Sequence, residues 1–485
     1  MREVHAAGKA AEAGTVEDTD TAGGEGPGAG APDRAGVRRA VAAGAIGNFV
    51  EWFDFGVYGY LAPILATRFF PEQSRAAGLL STFAVFGVAF LVRPAGAVFF
   101  GRLGDRIGHR LTLSLIVILM SVSTAVIGLL PGFAAIGVAA PLLLLAMRMV
   151  QGFSAGGEFA GASTMVVEYA PPHRRGLYVS FLSVSTYAAS LVGVCFTALL
   201  TSGAGDEAMS SWGWRVPFLV ALPLGLVGLY LRTRVDETPE FRALKRDHQV
   251  EAAPLAEALR TQRRPIATLF GIIMINAVAY YVLGTYWPNY LSENAGLPRL
   301  TALWSSAAAY GVLIVLAPAF GMLADRYGRK AMMLYSTIGL LVLTVPAFLL
   351  SGAGGYWPAV LGQALFVLFA GPTSPVSSLV TAELFPARVR YSASAIGYNL
   401  SFMLFGGTAP YVSGYLIGAT GSKLAPALYI CAIAACSLVV VATMLRETAP
   451  GLRRDGGNDG NDGNDGDSGT PADGAVATAV RTVRG

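Results

Sequence analysis

The sequence predicts an all-α membrane protein with about twelve transmembrane helices, arranged as two related six-helix bundles. Composition gives the first reason, since 54% of the 485 residues are hydrophobic and only 14% are charged. An ordinary soluble domain has about 25% charged residues. The second reason is that the apolar residues form repeated runs of about 20, which match the hydrocarbon thickness of a bilayer. The third reason is an internal sequence repeat that relates the two halves.

The predicted spans follow the twenty-residue criterion for a membrane-crossing helix. In the first half they cover 41–66, 77–100, 111–131, 141–168, 177–200 and 214–232. In the second half they cover 266–291, 303–323, 331–350, 357–381, 391–417 and 424–445. The domain prediction is a disordered tail (1–40), a first bundle (41–232), a linker (233–265), a second bundle (266–445) and a second disordered tail (446–485).

The distribution of Lys and Arg predicts the orientation in the membrane. Alternate connectors carry clusters of arginine, at 102–110, 174–175, 326–330 and 388–390 as well as in the linker. The intervening connectors carry few basic residues. Because positively charged loops remain in the cytoplasm, we expect both termini and the linker to be cytoplasmic and the protein to reside in the cell membrane.

The internal repeat joins two connectors at equivalent positions of the two halves. Gly101–Arg110 (GRLGDRIGHR) and Gly321–Lys330 (GMLADRYGRK) share the pattern G-x-L-x-D-R-x-G-x-[RK]. Asp105 and Asp325 fall at predicted helix ends beside arginines, where a carboxylate can join a charge network or interact with a helix dipole. We expect these loops to latch one conformation; the alternative is a topology signal combined with a tight glycine turn.

Ionisable side chains within predicted spans are costly and therefore indicate a function or a pairing partner. On the first span Glu51, Asp54 and Tyr58 share one helix face. Asp54 lies about 18 Å along that helix, close to the middle of the bilayer. Arg93 on the second span lies roughly 12 Å from its cytoplasmic end, at a depth similar to that of Glu51. We therefore expect Arg93 to be able to pair with this face.

The fourth span carries a second charged face, formed by Arg148, Gln151 and Glu158. One interpretation is a water-accessible cavity in which a carboxylate gains and loses a proton while an arginine attracts an anionic substrate group. The alternative is a set of static ion pairs that fix helix packing. Polar and aromatic residues of the second half are candidates for the opposite wall: Asn276, Tyr280, Tyr281, Trp287, Asn289, Tyr398 and Asn399.

Other kinds of site are not expected from this sequence. The three cysteines lie in apolar runs without a C-x-x-C pair, and the four histidines lie in tails or loops. There is no nucleophile–base constellation and no basic stretch interleaved with aromatics. We expect no enzyme activity, no cofactor, no metal and no nucleic-acid partner. The expected partners are a small molecule, a proton and the lipid bilayer, with the monomer as the functional unit.

Several strings resemble the major facilitator superfamily and, within it, the metabolite:proton symporter family. The repeated loops resemble the signature loop of the superfamily. The strings that resemble the metabolite:proton symporter family in particular are GNFVEWFDFGVYGYLAP (47–63), VRPAGAVFFGRLGDRIGHR (92–110), RMVQGFSAGGEFAGA (148–162), WGWRVPF (212–218), ETPEF (237–241) and AELFPARVRYSASAIGYNLSFMLFGG (382–407). They occur in the expected order from about residue 40 to residue 445. The family includes carriers for 2-oxoglutarate, citrate, shikimate and proline/betaine.

The resemblance implies two pseudosymmetric domains that work by alternating access, with transport coupled to an inward proton gradient. It implies a substrate and proton region that includes Glu51, Asp54, Arg93, Arg148 and Glu158. It also implies a cytoplasmic gate formed by Asp105, Arg106, Arg110, Asp325, Arg326 and Arg329.

The leading hypothesis is therefore proton-coupled uptake of a small polar metabolite. Buried Arg93 and Arg148 favour an organic acid, and a zwitterion such as proline or betaine is the other substrate class. Proton-driven export of a drug or secondary metabolite uses the same alternating cycle and remains the alternative. A non-transporting membrane receptor is a third hypothesis, which lacks support because neither tail provides a signalling domain.

Overall fold

A computed structural model describes residues 34–107, 109–156, 163, 166–167, 169–233, 259–449 and 452, at a few positions by the backbone alone. Most of both predicted tails and of the linker therefore lies outside the described residues. Within these ranges the secondary structure is helical, with no strand. Eighteen α-helices are numbered here in chain order.

The first half begins with α1, a 27-residue helix that carries the predicted first span. Short turns divide several of its spans into two helices. The bounds are α1 Arg34–Tyr60, α2 Ala62–Phe69, α3 Arg75–Leu91, α4 Arg93–Ile107, α5 His109–Leu129, α6 Phe133–Ile136, α7 Ala139–Ala155, α8 Arg175–Ala208 and α9 Arg215–Thr233.

The second half begins after the linker and ends shortly before the C-terminal tail. Its bounds are α10 Arg263–Tyr281, α11 Trp287–Glu293, α12 Arg299–Tyr327, α13 Arg329–Ser351, α14 Tyr356–Ala370, α15 Thr373–Glu383, α16 Ala387–Ser401, α17 Ala409–Thr420 and α18 Ala425–Thr443.

These helices account for the twelve predicted spans. Eight helical segments of the described chain are long and apolar enough to cross a membrane. Three shorter apolar helices, Ser114–Leu129, Ala139–Ala155 and Arg215–Tyr230, occupy the predicted third, fourth and sixth spans. The remaining span is α1, which is less apolar because it carries Glu51 and Asp54. The predicted all-α membrane architecture is confirmed.

Proline explains two of the breaks within spans. Pro63 lies in the first turn of α2, directly after α1 ends, and Pro94 lies in the first turn of α4, directly after α3 ends. Proline lacks the N–H of a helix interior but is tolerated in a first turn. By contrast, Pro318 and Pro346 lie inside helices that continue past them.

The two halves contact each other along two seams. In one, α8 packs along α12 and α15; in the other, α3 packs against α17. The fifth span of one half thus contacts the second span of the other, and the reverse, as expected for two pseudosymmetric units. Two π-helical turns, Val282–Tyr286 and Phe402–Gly406, lie at this interface against α1 and α3 respectively. Such turns are rare and often occur at functional sites.

Close backbone contact fixes α7 against the junction of α3 and α4. A Cβ atom at Gly152 would overlap the carbonyl oxygen of Ala89, and one at Gly156 would overlap that of Arg93. A Cβ atom at Gly96 would overlap the carbonyl oxygen of Phe153 in the same way. Small residues permit this approach between membrane helices. The contact sets the position of Arg93 relative to α7.

We expect Gly152→Ala to lower the thermal stability of the purified protein, because the added methyl group meets a backbone carbonyl that cannot rotate away. Overpacking of this kind costs about 1–3 kcal/mol. Gly311→Ala is the matched control, since no atom lies within 4 Å of a Cβ at that helical position. Scanning fluorimetry in detergent measures both Tm values. An equal change in the two variants would contradict the backbone contact.

Candidate functional site

A small cavity lies between the halves, where α1 and α8 face α10, α15 and α16. Its free volume is about 20 Å³ in this state. On each helix the lining side chains include a pair four residues apart, which lies on one face, and none of the lining side chains is charged. They are Asn48, Trp52, Leu182, Ser183, Thr186, Asn276, Tyr280, Ser374, Ser378, Tyr398 and Phe402.

A hydrogen-bond network in the first half fixes the Trp52 side chain at the cavity wall. The indole Nε1 of Trp52 donates to Asn48 Oδ1 at 2.8 Å. The Nδ2 atom of Asn48 donates to the carbonyl oxygen of Leu182 at 3.1 Å and to Thr186 Oγ1 at 2.6 Å. Because Leu182 and Thr186 belong to α8, the amide of Asn48 ties α1 to α8 beside the cavity.

Other hydrogen bonds close the cavity by joining the two halves. The hydroxyl oxygens of Ser183 and Ser374 lie 2.9 Å apart, and those of Ser190 and Tyr280 lie 2.7 Å apart. These are neutral hydrogen bonds, each of which contributes only about 0.5–1.5 kcal/mol. Their loss is compatible with separation of the halves during a transport cycle.

Aromatic rings from both halves form one side of the cavity. The Trp52 ring meets Tyr280 edge to face, with 4.4 Å between centroids, and lies 6.2 Å from Phe402. Tyr398 stacks on Phe402 at 4.3 Å. We call Trp52, Tyr280, Tyr398 and Phe402 the aromatic wall.

Glu51 and Arg93 form a buried ion pair behind this wall. The distance between Arg93 Nη2 and Glu51 Oε1 is 3.0 Å, and each side chain is 2% exposed. The guanidinium carbon lies 4.5 Å from the Phe90 ring centroid and 6.0 Å from that of Phe402. One aromatic ring thus contacts both the ion pair and the cavity. Glu51 belongs to the helix face with which the sequence analysis expected Arg93 to be able to pair.

A second buried polar chain connects Asp54 to Arg148. The Oγ1 atom of Thr124 donates to Asp54 Oδ2 at 2.8 Å and accepts a hydrogen bond from Gln151 Nε2. Arg148 Nη1 donates to Gln151 Oε1 at 2.9 Å. The guanidinium carbon of Arg148 lies 4.3 Å from the centroid of the Tyr58 ring. Asp54 and Arg148 are therefore connected by hydrogen bonds through two neutral side chains, those of Thr124 and Gln151.

Polar atoms in this chain have further capacity for hydrogen bonding. Asp54 Oδ1 and the Nε and Nη2 atoms of Arg148 are buried without a hydrogen-bond partner among the residues that the structure describes. Buried polar groups are rarely left so, and these atoms can therefore accept or donate further hydrogen bonds. Glu158, which the sequence grouped with Arg148, lies outside the described residues.

The second half contributes Asn276 and Tyr280 to the cavity, as expected from sequence. Asn276 Oδ1 accepts a hydrogen bond from Thr373 Oγ1 at 2.9 Å. Asn399 points elsewhere: its Nδ2 donates to the carbonyl oxygen of Ala395 on the same helix, and it does not line the cavity. Trp287 packs in the interior of the second half, against Phe348 at 4.2 Å.

Sequence reasoning missed several lining residues. Asn48 is a polar, uncharged residue in a span, and a rule based on ionisable groups does not identify it. Trp52 sits beside Glu51, but a lone aromatic in a span gives no signal of its own. Phe402 is apolar like its neighbours, and only the packing of α16 against the first half brings it to the cavity.

Charged contacts join the halves at the end of the molecule that carries the second repeated loop. Asp325 accepts hydrogen bonds from the backbone N–H groups of Gly176 at 2.8 Å and Leu177 at 3.1 Å. Its carboxylate therefore caps the N-terminus of α8 in the other half. Arg329 contacts the same carboxylate, with its Nη1 atom 3.4 Å from Asp325 Oδ1. Arg329 also forms a bidentate ion pair with Glu383, with hydrogen bonds of 2.9 and 3.0 Å.

Of the remaining predicted gate residues, only Arg326 has a side chain within the described part of the structure. Arg326 stacks near the Tyr327 ring, 5.4 Å from its centroid. The side chains of Asp105, Arg106 and Arg110 lie outside the described part of the structure. The first repeated loop therefore has no described contact to compare with that of Asp325.

The opposite end of the molecule is also bridged between the halves. Arg75 pairs with Glu293 at 2.7 Å, although the Arg75 side chain is 78% exposed. Asn289 Nδ2 donates to the carbonyl oxygen of Gly59 at 3.0 Å, and Arg299 Nη2 donates to that of Tyr60 at 2.6 Å. The cavity thus lies between two sets of contacts, one at each end.

Similar proteins agree with this architecture. Residues 40–261 match the family described as sugar (and other) transporter, and residues 269–481 match the major facilitator superfamily. The chain is 36% identical over 431 residues to the proline/betaine transporter of Salmonella typhimurium, covering 85% of this chain and 84% of that protein. It is 38% identical over 428 residues to the glycine betaine/proline/ectoine/pipecolic acid transporter of Dickeya dadantii, with the same coverage of both chains.

Solved structures give the same fold at low sequence identity. The partially occluded inward-open xylose transporter of E. coli superposes with a TM-score of 0.68 at 18% identity, covering 85% of this chain and 99% of that one. The proton:xylose symporter bound to 6-bromo-6-deoxy-D-glucose gives 0.66, also at 18% identity, covering 85% of this chain and 97% of that one. The chain therefore belongs to the major facilitator superfamily, as a multi-pass membrane transporter related to proline/betaine transporters.

Proposed function

We propose that this protein imports a small zwitterionic solute of the proline or betaine type together with a proton, by alternating access. The buried Glu51–Arg93 pair beside an uncharged cavity is the observation that carries the proposal. The names of the relatives support the solute class, because proline and betaine are both zwitterions.

The balance of charge around the cavity favours a zwitterion over an organic acid. Arg93 is matched by Glu51 at 3.0 Å. Arg148 shares a hydrogen-bonded chain with Asp54. A dicarboxylate would bring two further negative charges beside Arg93, which Glu51 already neutralises, and unpaired buried charge is very costly. A zwitterion adds no net charge, so we prefer the second of the two substrate classes suggested by the sequence.

Exchange of partners at Arg93 provides a means of proton coupling. When the carboxylate of the solute approaches Arg93, it competes with Glu51 for the guanidinium group. A displaced Glu51 carboxylate would remain buried away from its cation, and it takes up a proton to avoid that cost. Arg93 then has one anionic partner both before and after binding, and solute and proton are bound together.

Asp54 is a second place where a proton can be held without loss of hydrogen bonding. The single hydroxyl proton of Thr124 has two acceptors within reach, Asp54 Oδ2 at 2.8 Å and the carbonyl oxygen of Met120 at 2.9 Å. With Asp54 ionised, the hydroxyl donates to the carboxylate. With Asp54 protonated, the carboxyl donates to Thr124, whose hydroxyl turns to Met120.

The contact between Asp325 and the N-terminus of α8 acts as a gate in this proposal. Under the positive-inside rule this end faces the cytoplasm. The gate opens when the halves separate and the two backbone N–H groups lose their cap. Proton-driven export by the same alternating cycle is the alternative, in which solute and proton cross the membrane in opposite directions under the same inward proton gradient.

We expect purified protein in liposomes to accumulate labelled proline or glycine betaine under an inward proton gradient, and to lose accumulation with a protonophore. Glu51→Gln should abolish gradient-driven accumulation, because an amide does not take up or release a proton. Counterflow should be retained, because an amide pairs only weakly with Arg93 and the solute can displace it. The exposed variant Lys423→Gln is the control for expression and reconstitution. Gradient-driven accumulation by Glu51→Gln at the wild-type level would contradict the role of Glu51, and efflux driven by the gradient would favour export.

Arg93→Ala should abolish both accumulation and counterflow. Removing one member of a buried ion pair costs about 3–5 kcal/mol because the other charge is left uncompensated. The double variant Glu51→Gln/Arg93→Ala should regain stability without regaining transport. Uptake by the double variant comparable to that of the wild type would show that Arg93 does not bind the solute.

Asp325→Asn should weaken closure at its end of the molecule, since an amide is a poorer cap for α8 and no longer pairs with Arg329. Spin labels at exposed positions 173 and 327, in a background without native cysteines, report the separation of the halves. We expect the distance distribution to shift towards longer values. Lys423→Gln in the same background is the control, and identical distributions for both variants would contradict the gate.

A further inference from the structure

We propose that the aromatic wall is the subsite for the cationic nitrogen of the solute, and that it selects substituted ammonium groups over other small solutes. This inference rests on the proposed function, in which the solute is a zwitterion. It assigns recognition to Trp52, Tyr280, Tyr398 and Phe402, none of which is charged.

The arrangement of the rings suits a cation. Four of the lining residues are aromatic, and they come from α1, α10, α16 and the π-helical turn that follows α16, so both halves contribute. Ring centroids in the wall are separated by 4.3–6.2 Å. A cation in the widened cavity would therefore have several rings within the roughly 6 Å over which the face of an aromatic ring attracts it. Tryptophan is the strongest of these attractors.

The absence of an acidic group in the wall supports recognition by rings. No carboxylate lines the cavity within the described residues. Glu51 is adjacent in sequence to Trp52, but its Oε1 atom already pairs with Arg93. A cation that entered the cavity would therefore be stabilised mainly by aromatic faces and neutral oxygens.

The hydrogen bonds that lining oxygens already make predict which ammonium groups fit best. A primary ammonium group has three N–H donors that need acceptors when buried. The Oδ1 atom of Asn276 and the hydroxyls of Tyr280 and Ser374 already have partners. A quaternary ammonium has no N–H group and leaves no donor unsatisfied. The wall therefore suits quaternary and other substituted ammonium groups better than a primary one.

The position of Phe402 gives the bound solute a direction. Its ring lies 6.2 Å from that of Trp52 and 6.0 Å from the guanidinium carbon of Arg93. A solute whose nitrogen lies against the aromatic wall would therefore have Arg93 on the other side of the Phe402 ring. The positive charge of Arg93 would attract the carboxylate of the solute towards that side. The cavity in this state is too narrow for such a solute, so the halves must separate to admit it.

The test compares two probes of nearly equal shape, glycine betaine and 3,3-dimethylbutanoate. The second replaces the quaternary nitrogen by carbon and keeps the carboxylate. Binding to purified protein in nanodiscs is measured by calorimetry. We expect wild-type protein to bind glycine betaine at least about tenfold more tightly than the carbon analogue. Equal affinities would overturn the inference, whatever happens to the variants.

Variants locate the effect at the wall. Trp52→Leu should remove most of the preference for glycine betaine and lower the affinity for 3,3-dimethylbutanoate by a smaller factor, because the carbon analogue loses only apolar contact with the ring. Trp52→Phe keeps a ring and should retain part of the preference, although it loses the hydrogen bond to Asn48. Trp357→Leu is the matched control, because Trp357 is 69% exposed and distant from the cavity lining. A preference that is unaffected by Trp52→Leu, including a fall in both affinities by the same factor, would overturn the assignment.

Parallel uptake assays separate this inference from the function on which it rests. If wild-type protein accumulates glycine betaine under the proton gradient but binds both probes equally, the aromatic subsite is wrong and the proposed function stands. If the protein neither binds nor accumulates zwitterions, both are wrong.

Discussion

Placing charge inside a membrane is costly, and this cost governs the arrangement of the helices around Glu51 and Arg93. Glu51 and Arg93 are each 2% exposed and lie 3.0 Å apart. Neither is tolerable there without the other. The break between α3 and α4 at Pro94 and the glycine contact of α7 hold Arg93 where Glu51 can reach it. Much of the first half is thus organised around one ion pair.

The same constraint determines what the cavity can bind and how a proton is involved. With the described charges held behind the aromatic wall, the space between the halves is polar but uncharged. A solute that carries both charges can offer its carboxylate to Arg93 in place of that of Glu51, so that Arg93 keeps one anionic partner when Glu51 takes up a proton. The two latching regions, one at each end, then need only break a few hydrogen bonds and ion pairs for the halves to move.

The sequence was sufficient for the architecture and for the charged residues, because both follow from local rules. Span length, the repeated loop and the rarity of intramembrane charge identified the twelve helices and the Glu51–Arg93 pair. The sequence was insufficient for the wall of the cavity. Trp52 and Phe402 look like ordinary apolar residues until packing between halves brings them together. Asn399 is the opposite case, because it is a polar residue in a span and yet does not line the cavity. Its amide donates a hydrogen bond to a backbone carbonyl of its own helix.

Proton uptake on solute binding reports whether Glu51 is protonated when the solute takes its place at Arg93. Glycine betaine is added to purified protein in weakly buffered solution with a pH indicator. We expect uptake of about one proton per solute bound, and no uptake in Glu51→Gln. Saturable binding of glycine betaine without any proton uptake by the wild-type protein would contradict this expectation.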